Sequence, residues 1–397
     1  MLLCERDTPL LISDVEVFAP APLGRCDVLV VAGRVLAISS RPARGEPPAV
    51  SEQLTPIAGV ATRHIEGRGR LLVPGFVDSL VHIGGGGGEG GFASRVAPLR
   101  AEDALKAGVT TLIGALGTDE VTRSHADLLA CARALAAEGL SAFVLSGSYR
   151  VPVATLTGSV RGDLVLIPEM LGVGEIAIAD HRGSQPSAAE LARIGADARV
   201  GGMLAGKRGT VLIHVGDAAE GLRLLNEVSD STPLPPSQWH PTHVNRSRAL
   251  LTQGEAWLRR GGSVDLTAST TAGLIDAGEI AAAQALAELL AAGLPVDRIS
   301  LSSDGQASLP QFDAEGRLIA LAVAPMDSLL QSLQQAVLQH GLSLENALPA
   351  FTASPAAIWG LSRKGVIAPG ADADLLLLDP QTLAIEATVA GGQLHLF

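Results

Sequence analysis

The rhythm of apolar and polar positions changes along this chain. Near the N-terminus the positions alternate in short runs. Leu11-Ile12-Ser13-Asp14-Val15-Glu16-Val17 is one, and Asp27-Val28-Leu29-Val30-Val31 faces Val35-Leu36-Ala37-Ile38 across the turn Ala32-Gly33-Arg34. Side chains of a strand alternate between its two faces, so these runs over residues 10–70 predict short β-strands and a hairpin. The same style returns in Gly365-Val366-Ile367-Ala368-Pro369-Gly370, Ala371 to Asp379, and Ala384 to Phe397. Two β-rich ends around a different middle predict one small β domain, built from 1–70 plus 361–397.

The middle, 71–360, alternates apolar runs with amphipathic stretches. Strands are predicted at 71–82, 109–116, 141–149, 174–180, 209–216, 240–245, 263–269 and 299–304. Helices are predicted between most of them, including Thr122–Glu138, Ala188–Leu204, Arg246–Arg260 and Ile280–Ala292. This pattern predicts an α/β fold, a TIM-like (β/α)8 barrel, whose chemistry gathers at the C-terminal ends of the strands.

The residues closing those strands are the candidate chemistry. The first ends in Ser79-Leu80-Val81-His82, followed by five glycines (Gly84 to Gly88) and Glu89. The fourth runs from Glu175 to Asp180-His181-Arg182, and the fifth ends in His214. The sixth ends in Thr242-His243-Val244-Asn245-Arg246 and the last in Ser302-Ser303-Asp304-Gly305. A barrel brings these ends into one crater, where imidazoles and carboxylates can share a divalent cation, zinc being the ion such donors favour. His64, His125, His340 and His395 fall outside the pattern and read as core or surface residues. His181 and His240 lie near the crater without a spacing that marks them as ligands.

Composition narrows the picture. Over 397 residues, 47% are hydrophobic and 18% charged, a globular composition. A net charge of −12 and only 3% aromatic residues argue against a nucleic-acid partner, which needs clustered cations and stacking rings. Cys4, Cys26 and Cys131 are unclustered, which fits a reducing compartment. The segment Met1 to Asp7 lacks a basic region followed by an apolar core, and no apolar run reaches the length of a membrane span. The expectation is a cytoplasmic protein with no membrane partner.

Several of these motifs together resemble the isoaspartyl (β-aspartyl) dipeptidases of the amidohydrolase superfamily. They are Gly84–Gly88 with Glu89, Gly117-Thr118-Asp119, Asp180-His181-Arg182, Thr242-His243-Val244-Asn245-Arg246 and Ser302-Ser303-Asp304-Gly305. The likeness extends through Gly201-Gly202-Met203-Leu204 to Pro369-Gly370-Ala371-Asp372-Ala373-Asp374-Leu375. The resemblance implies a two-zinc barrel with a urease-like β-sandwich, acting on small dipeptides and forming a homo-oligomer. It implies that His214 and His243 bind one metal, while His82 and Asp304 bind the other and Asp304 also acts as general base. It further implies Glu89 on the substrate's α-amino group and Gly87, Thr118 and Ser308 around the aspartyl group. Arg182 and Arg246 would hold carboxylates, and Tyr149, the chain's single tyrosine, would polarise the scissile carbonyl. The residue types suit those roles: an arginine fork matches a carboxylate, and a phenol can donate to a developing oxyanion.

Two positions depart from the family. Leu80 stands where the first histidine of a His-x-His pair is expected, and Glu175 where a carboxylated lysine bridges both metals. The chain's lysines, Lys106, Lys207 and Lys364, cannot substitute. Glu175 matches the carbamate's charge but falls short in reach by roughly 3–4 Å. The expectation is therefore one tight zinc on His214, His243 and Glu175, with the second site weak or empty. Three functions follow from these residues: hydrolysis of β-aspartyl dipeptides, hydrolysis of another N-acyl or β-linked amino acid, or an impaired homologue that binds without turnover.

Overall fold

The computed structural model describes residues 8–41, 61–312 and 318–397. Cys4, the Met1–Asp7 segment and the part of the N-terminal β region at 42–60 lie outside the described residues. All eight barrel strands predicted from periodicity are present. In order they are Phe76–Val81, Val109–Gly114, Ser141–Ser146, Met170–Ile178, Val211–Val215, Trp239–Thr242, Val264–Thr267 and Ile299–Ser302. The first six form one parallel sheet and the last two pair with each other. The ring closes where Val81 bridges Gly305, with His82 N–H donating to the Gly305 carbonyl at 2.9 Å. This is the expected α/β architecture, a curled parallel sheet beside a terminal mixed sheet.

The strands are apolar on both faces because helices cover the outside and side chains fill the inside. Ser124 and Ser187 cap the helices His125–Ala137 and Ala188–Ala205 by accepting backbone N–H bonds, and Ser187 with Glu190 completes a capping box. The helix predicted from Arg246 begins at Arg248 because Ser247 is its N-cap.

The terminal sheet runs in the order Gln393–Leu396, Ile385–Ala390, Leu375–Leu378, Leu71–Pro74, Leu10–Phe18, Pro22–Val31, Arg34–Ser40, with Arg63–Glu66 also on Leu10–Phe18. Here the structure corrects a sequence expectation: 71–82 is not one strand. Leu71–Pro74 belongs to the terminal sheet, whereas Phe76–Val81 opens the barrel. The switch is Gly75, whose N–H bonds Asp374 O while the next N–H bonds Gly108 O. A Cβ at Gly75 would lie 2.2 Å from Thr110 Oγ1, so only glycine fits this crossing.

Lys364 fastens the two sheets. Its ammonium is buried and reaches Asp374 Oδ2 at 2.6 Å, Asp372 Oδ2 at 3.0 Å and Ser141 Oγ, at the start of the third barrel strand, at 2.5 Å. Removing one member of a buried ion pair strands the other in a poor solvent. Lys364→Met should lower the unfolding free energy by about 3 kcal/mol, read as a fall in the urea midpoint without a change in slope.

Candidate metal centre and pocket

The barrel lifts a set of polar residues to one end, each directly after or within an apolar strand. Glu175, from the fourth strand, is fully buried; His214 is the penultimate residue of the fifth and His243 follows the sixth. His243 and Asp304 both adopt left-handed backbone, with φ of 65° and 50°. That conformation is costly for residues with a Cβ and is retained where a side chain must be aimed.

Glu175, His214 and His243 offer one ligand atom each within a common span of 4.8 Å, all buried. His214 Nδ1 lies 3.0 Å from His243 Nε2 and 3.4 Å from Glu175 Oε2, and His243 Nε2 lies 3.9 Å from that oxygen. Donors about 2 Å from a tetrahedral ion are separated by about 3.3 Å, so these spacings suit a shared cation. The shortfall in reach expected of Glu175 does not keep it out of the cluster.

The same carboxylate also faces the other pair. Glu175 Oε1 is 3.8 Å from His82 Nε2, and that nitrogen is 3.2 Å from Asp304 Oδ1. Both oxygens are buried and, among the described residues, have no hydrogen-bond partner, which fits anionic groups awaiting a cation. Burial by itself would raise Glu175, but the approach of His214 and His243 and the charge on His82 outweigh it, holding the carboxyl well below its usual range. For His82, burial disfavours the charged form, but Asp304 and then Glu175 prevail and lift it to about 9. His243, desolvated and near Arg246 and His214, drops to about 3. A neutral His243 is the form that binds a metal.

Leu80 cannot join either pair. It is fully buried in an apolar layer with Val77, Ile113, Leu145, Leu212 and Trp359, inside the barrel. His82, two residues on, is the strand's contribution to the polar crater.

The cleft above, together with its open mouth, holds about 500 Å³ of free space and is lined by His82, Gly87, Glu89, Thr118, Tyr149, Arg182, His214, Arg246, Asp304 and Ser308 among others. The cleft thus brings together most of the residues singled out in the sequence, while Glu175 and His243 lie outside its lining, in the buried group they form with His214. Tyr149 OH is 2.7 Å from His214 Nδ1, the nitrogen that faces the cluster. Burial and the charge of Glu175 keep the phenol protonated. Glu89 is half-buried and accepts from Thr118 Oγ1 at 2.9 Å and Ser308 Oγ at 3.3 Å. A Cβ at Gly117 would stand 2.9 Å from His82 Cε1 on a backbone with φ of +61°, so glycine is needed beside this imidazole.

Sequence reasoning missed Asp180 as a site residue. It is buried, lies 3.0 Å from His214 Nε2 and accepts two bonds from the Arg182 fork, from Nε at 3.0 Å and Nη2 at 2.7 Å. A carboxylate behind a ligating histidine fixes the ring's orientation and tautomer. Only its place just past a strand end signalled it. Arg123, also lining the cleft, was missed too, because a single arginine before a helix carries no spacing signal. His240 sits deeper than expected, between Ser263 and Ser300 and edge-on to Trp359; burial lowers it to about 3. His181 is 92% exposed, and His125 bonds the backbone of Gly147.

Comparison with known proteins identifies the family. The profile of the Amidohydrolase family matches residues 267–394. The crystal structure of the β-aspartyl dipeptidase of Fervidobacterium islandicum AW-1, in complex with a β-Asp-Leu dipeptide, is 39% identical. The match covers 98% of this chain and 96% of that one with a TM-score of 0.88. The chain belongs to the β-aspartyl dipeptidase family of the amidohydrolase superfamily. A more remote relative is the imidazolonepropionase of Anaeromyxobacter sp. (strain K), 29% identical over 345 residues, spanning 79% of this chain and 76% of its own length. A dihydropyrimidinase from Brevibacillus agri NCHU1002 shares the fold at 14% identity and a TM-score of 0.65. Membership fits the buried Glu/His/His group, and no helix among the described residues is long and apolar enough to cross a membrane.

A divalent ion raised to about a hundred times its dissociation constant should stabilise the metal-free protein by about 2.7 kcal/mol. His214→Ala or Glu175→Ala should abolish that gain, measured as the metal-dependent shift in unfolding midpoint.

Proposed function

We propose that this chain is a zinc-dependent hydrolase that cleaves the isopeptide bond of β-aspartyl dipeptides and releases aspartate. The observation that supports it most is one cleft holding Glu89, braced by Thr118 and Ser308, across from a buried Glu175/His214/His243 group. A carboxylate at the rim suits a substrate's α-ammonium, and a family member has been crystallised with β-Asp-Leu. Zinc at His214, His243 and Glu175 would supply a polarised water near neutral pH and a Lewis acid for the carbonyl. We assign it as one tight ion, with His82 and Asp304 forming a weaker second position because Leu80 withholds a ligand.

The chain's own groups then have distinct tasks. Glu89 anchors the amino group, and Gly87, Thr118 and Ser308 bound the aspartyl moiety. Arg182 and Arg246 make this side of the cleft cationic for substrate carboxylates. Arg182 is steadied by Asp180 and also lies over the Tyr149 ring, 5.4 Å from its centre. Tyr149 donates to the carbonyl oxygen as negative charge builds on it. Asp304 accepts the proton of the attacking water and passes it to the amine as the C–N bond breaks.

Leu80 favours a second reading, an impaired homologue that binds β-aspartyl dipeptide without turnover. Zinc-replete protein incubated with β-Asp-Leu should release aspartate, and chelator should stop it. Binding without release would establish the impaired reading instead. Metal analysis after dialysis should return one zinc per chain, and two equally tight ions would overturn that assignment.

Asp304→Asn should cut turnover by at least about a hundredfold while leaving zinc content nearly unchanged. Substantial remaining activity would remove Asp304 as the base.

A further inference from the structure

The glycine run bordering the cleft has no side chains with which to hold its shape. Gly85, Gly87 and Gly88 have φ of 80°, 69° and 109°, and the segment folds back so that Val96 N–H bonds Gly86 O at 2.9 Å. Such a sequence is free to adopt many other forms. What faces it is Arg123, whose side chain is only 5% exposed.

Every N–H of that guanidinium is spoken for. Nε donates to Gly84 O at 3.4 Å, and Nη2 to Gly86 O at 2.7 Å and Val96 O at 3.3 Å. Nη1 donates to Gly87 O at 3.2 Å and Asp119 Oδ2 at 3.3 Å. Arginine carries five such donors, and five acceptors meet them, four of them carbonyls of the loop. No donor is left over for a substrate carboxylate, so a direct binding role does not fit. Asp119 adjoins Thr118, the residue that donates to Glu89. One side chain therefore grips both strands of the glycine loop and the 117–119 segment across the pocket wall.

We propose that Arg123 is a positioning residue that fixes the glycine loop so that Glu89 and Gly87 are presented to the aspartyl half of the substrate. This rests on the dipeptidase reading above. Glu89 follows the loop directly, and its carboxylate is braced only if its backbone is delivered within reach of Thr118 and Ser308. Lysine cannot replace the fork, since an ammonium has three donors on one point and cannot span carbonyls on both strands of the loop.

Arg123→Lys and Arg123→Ala, each zinc-loaded, test this against wild type with β-Asp-Leu. The expected result is a KM about tenfold higher with kcat changed by less than about threefold, because ground-state binding is what loosens. Hydrogen exchange should quicken at amides of 84–97 and not in the barrel strands, and zinc content should stay at the wild-type value. Added guanidinium ion should bring the KM of the alanine variant back toward wild type. Unchanged KM and unchanged loop exchange in both variants would overturn the proposal, as would loss of zinc with faster exchange throughout the barrel. If wild type itself leaves β-Asp-Leu uncleaved, the substrate reading falls; loop exchange in the variants then decides the role of Arg123.

Discussion

The centre of this molecule is organised by a carboxylate that water cannot reach. Glu175 sits at the bottom of the crater with one oxygen toward His214 and His243 and the other toward His82 and Asp304. An isolated anion at such a depth is too costly to persist. It is tolerated here because imidazoles approach from both sides and leave room for a cation. Its neighbours are aimed accordingly: Asp180 stands behind His214, Thr267 Oγ1 contacts His243 Nδ1 at 2.5 Å, and the backbone at His243 and Asp304 is held left-handed.

Glu175 and Leu80, the two positions at which a departure from the family was expected, have different physical characters. Glu175 keeps the charge and, despite its shorter stem, reaches both pairs of groups. Leu80 is apolar, and the interior layers it against Leu145, Leu212 and Trp359. Leu80 offers the crater no donor and gives the barrel's filling a methyl-rich contact worth about 2 kcal/mol in burial.

Much of the fold was legible because periodicity reports burial directly. Strands buried on both faces gave continuous apolar runs, and all eight appear within a few residues of their expected limits. The strand-end residues were legible for the same reason: polar groups after such runs must emerge at one rim. What stayed hidden was partner-dependent. The break at Gly75 depends on Thr110 and Asp374, far away in sequence. Asp180 gains its meaning only from the ring of His214, and Arg123 only from carbonyls 27 to 39 residues upstream. His240 was misplaced because a strand residue's depth within a barrel depends on stagger, which one strand's sequence does not contain.

The terminal sheet carries a temporal implication. Leu71–Pro74 is flanked on one side by Leu10–Phe18 and on the other by Leu375–Leu378. One neighbour is synthesised early and the other about 300 residues later, so this strand must wait with an open edge through most of translation. Newly made chains should consequently be most vulnerable to misassociation there, before Leu375–Leu378 leaves the ribosome and covers it.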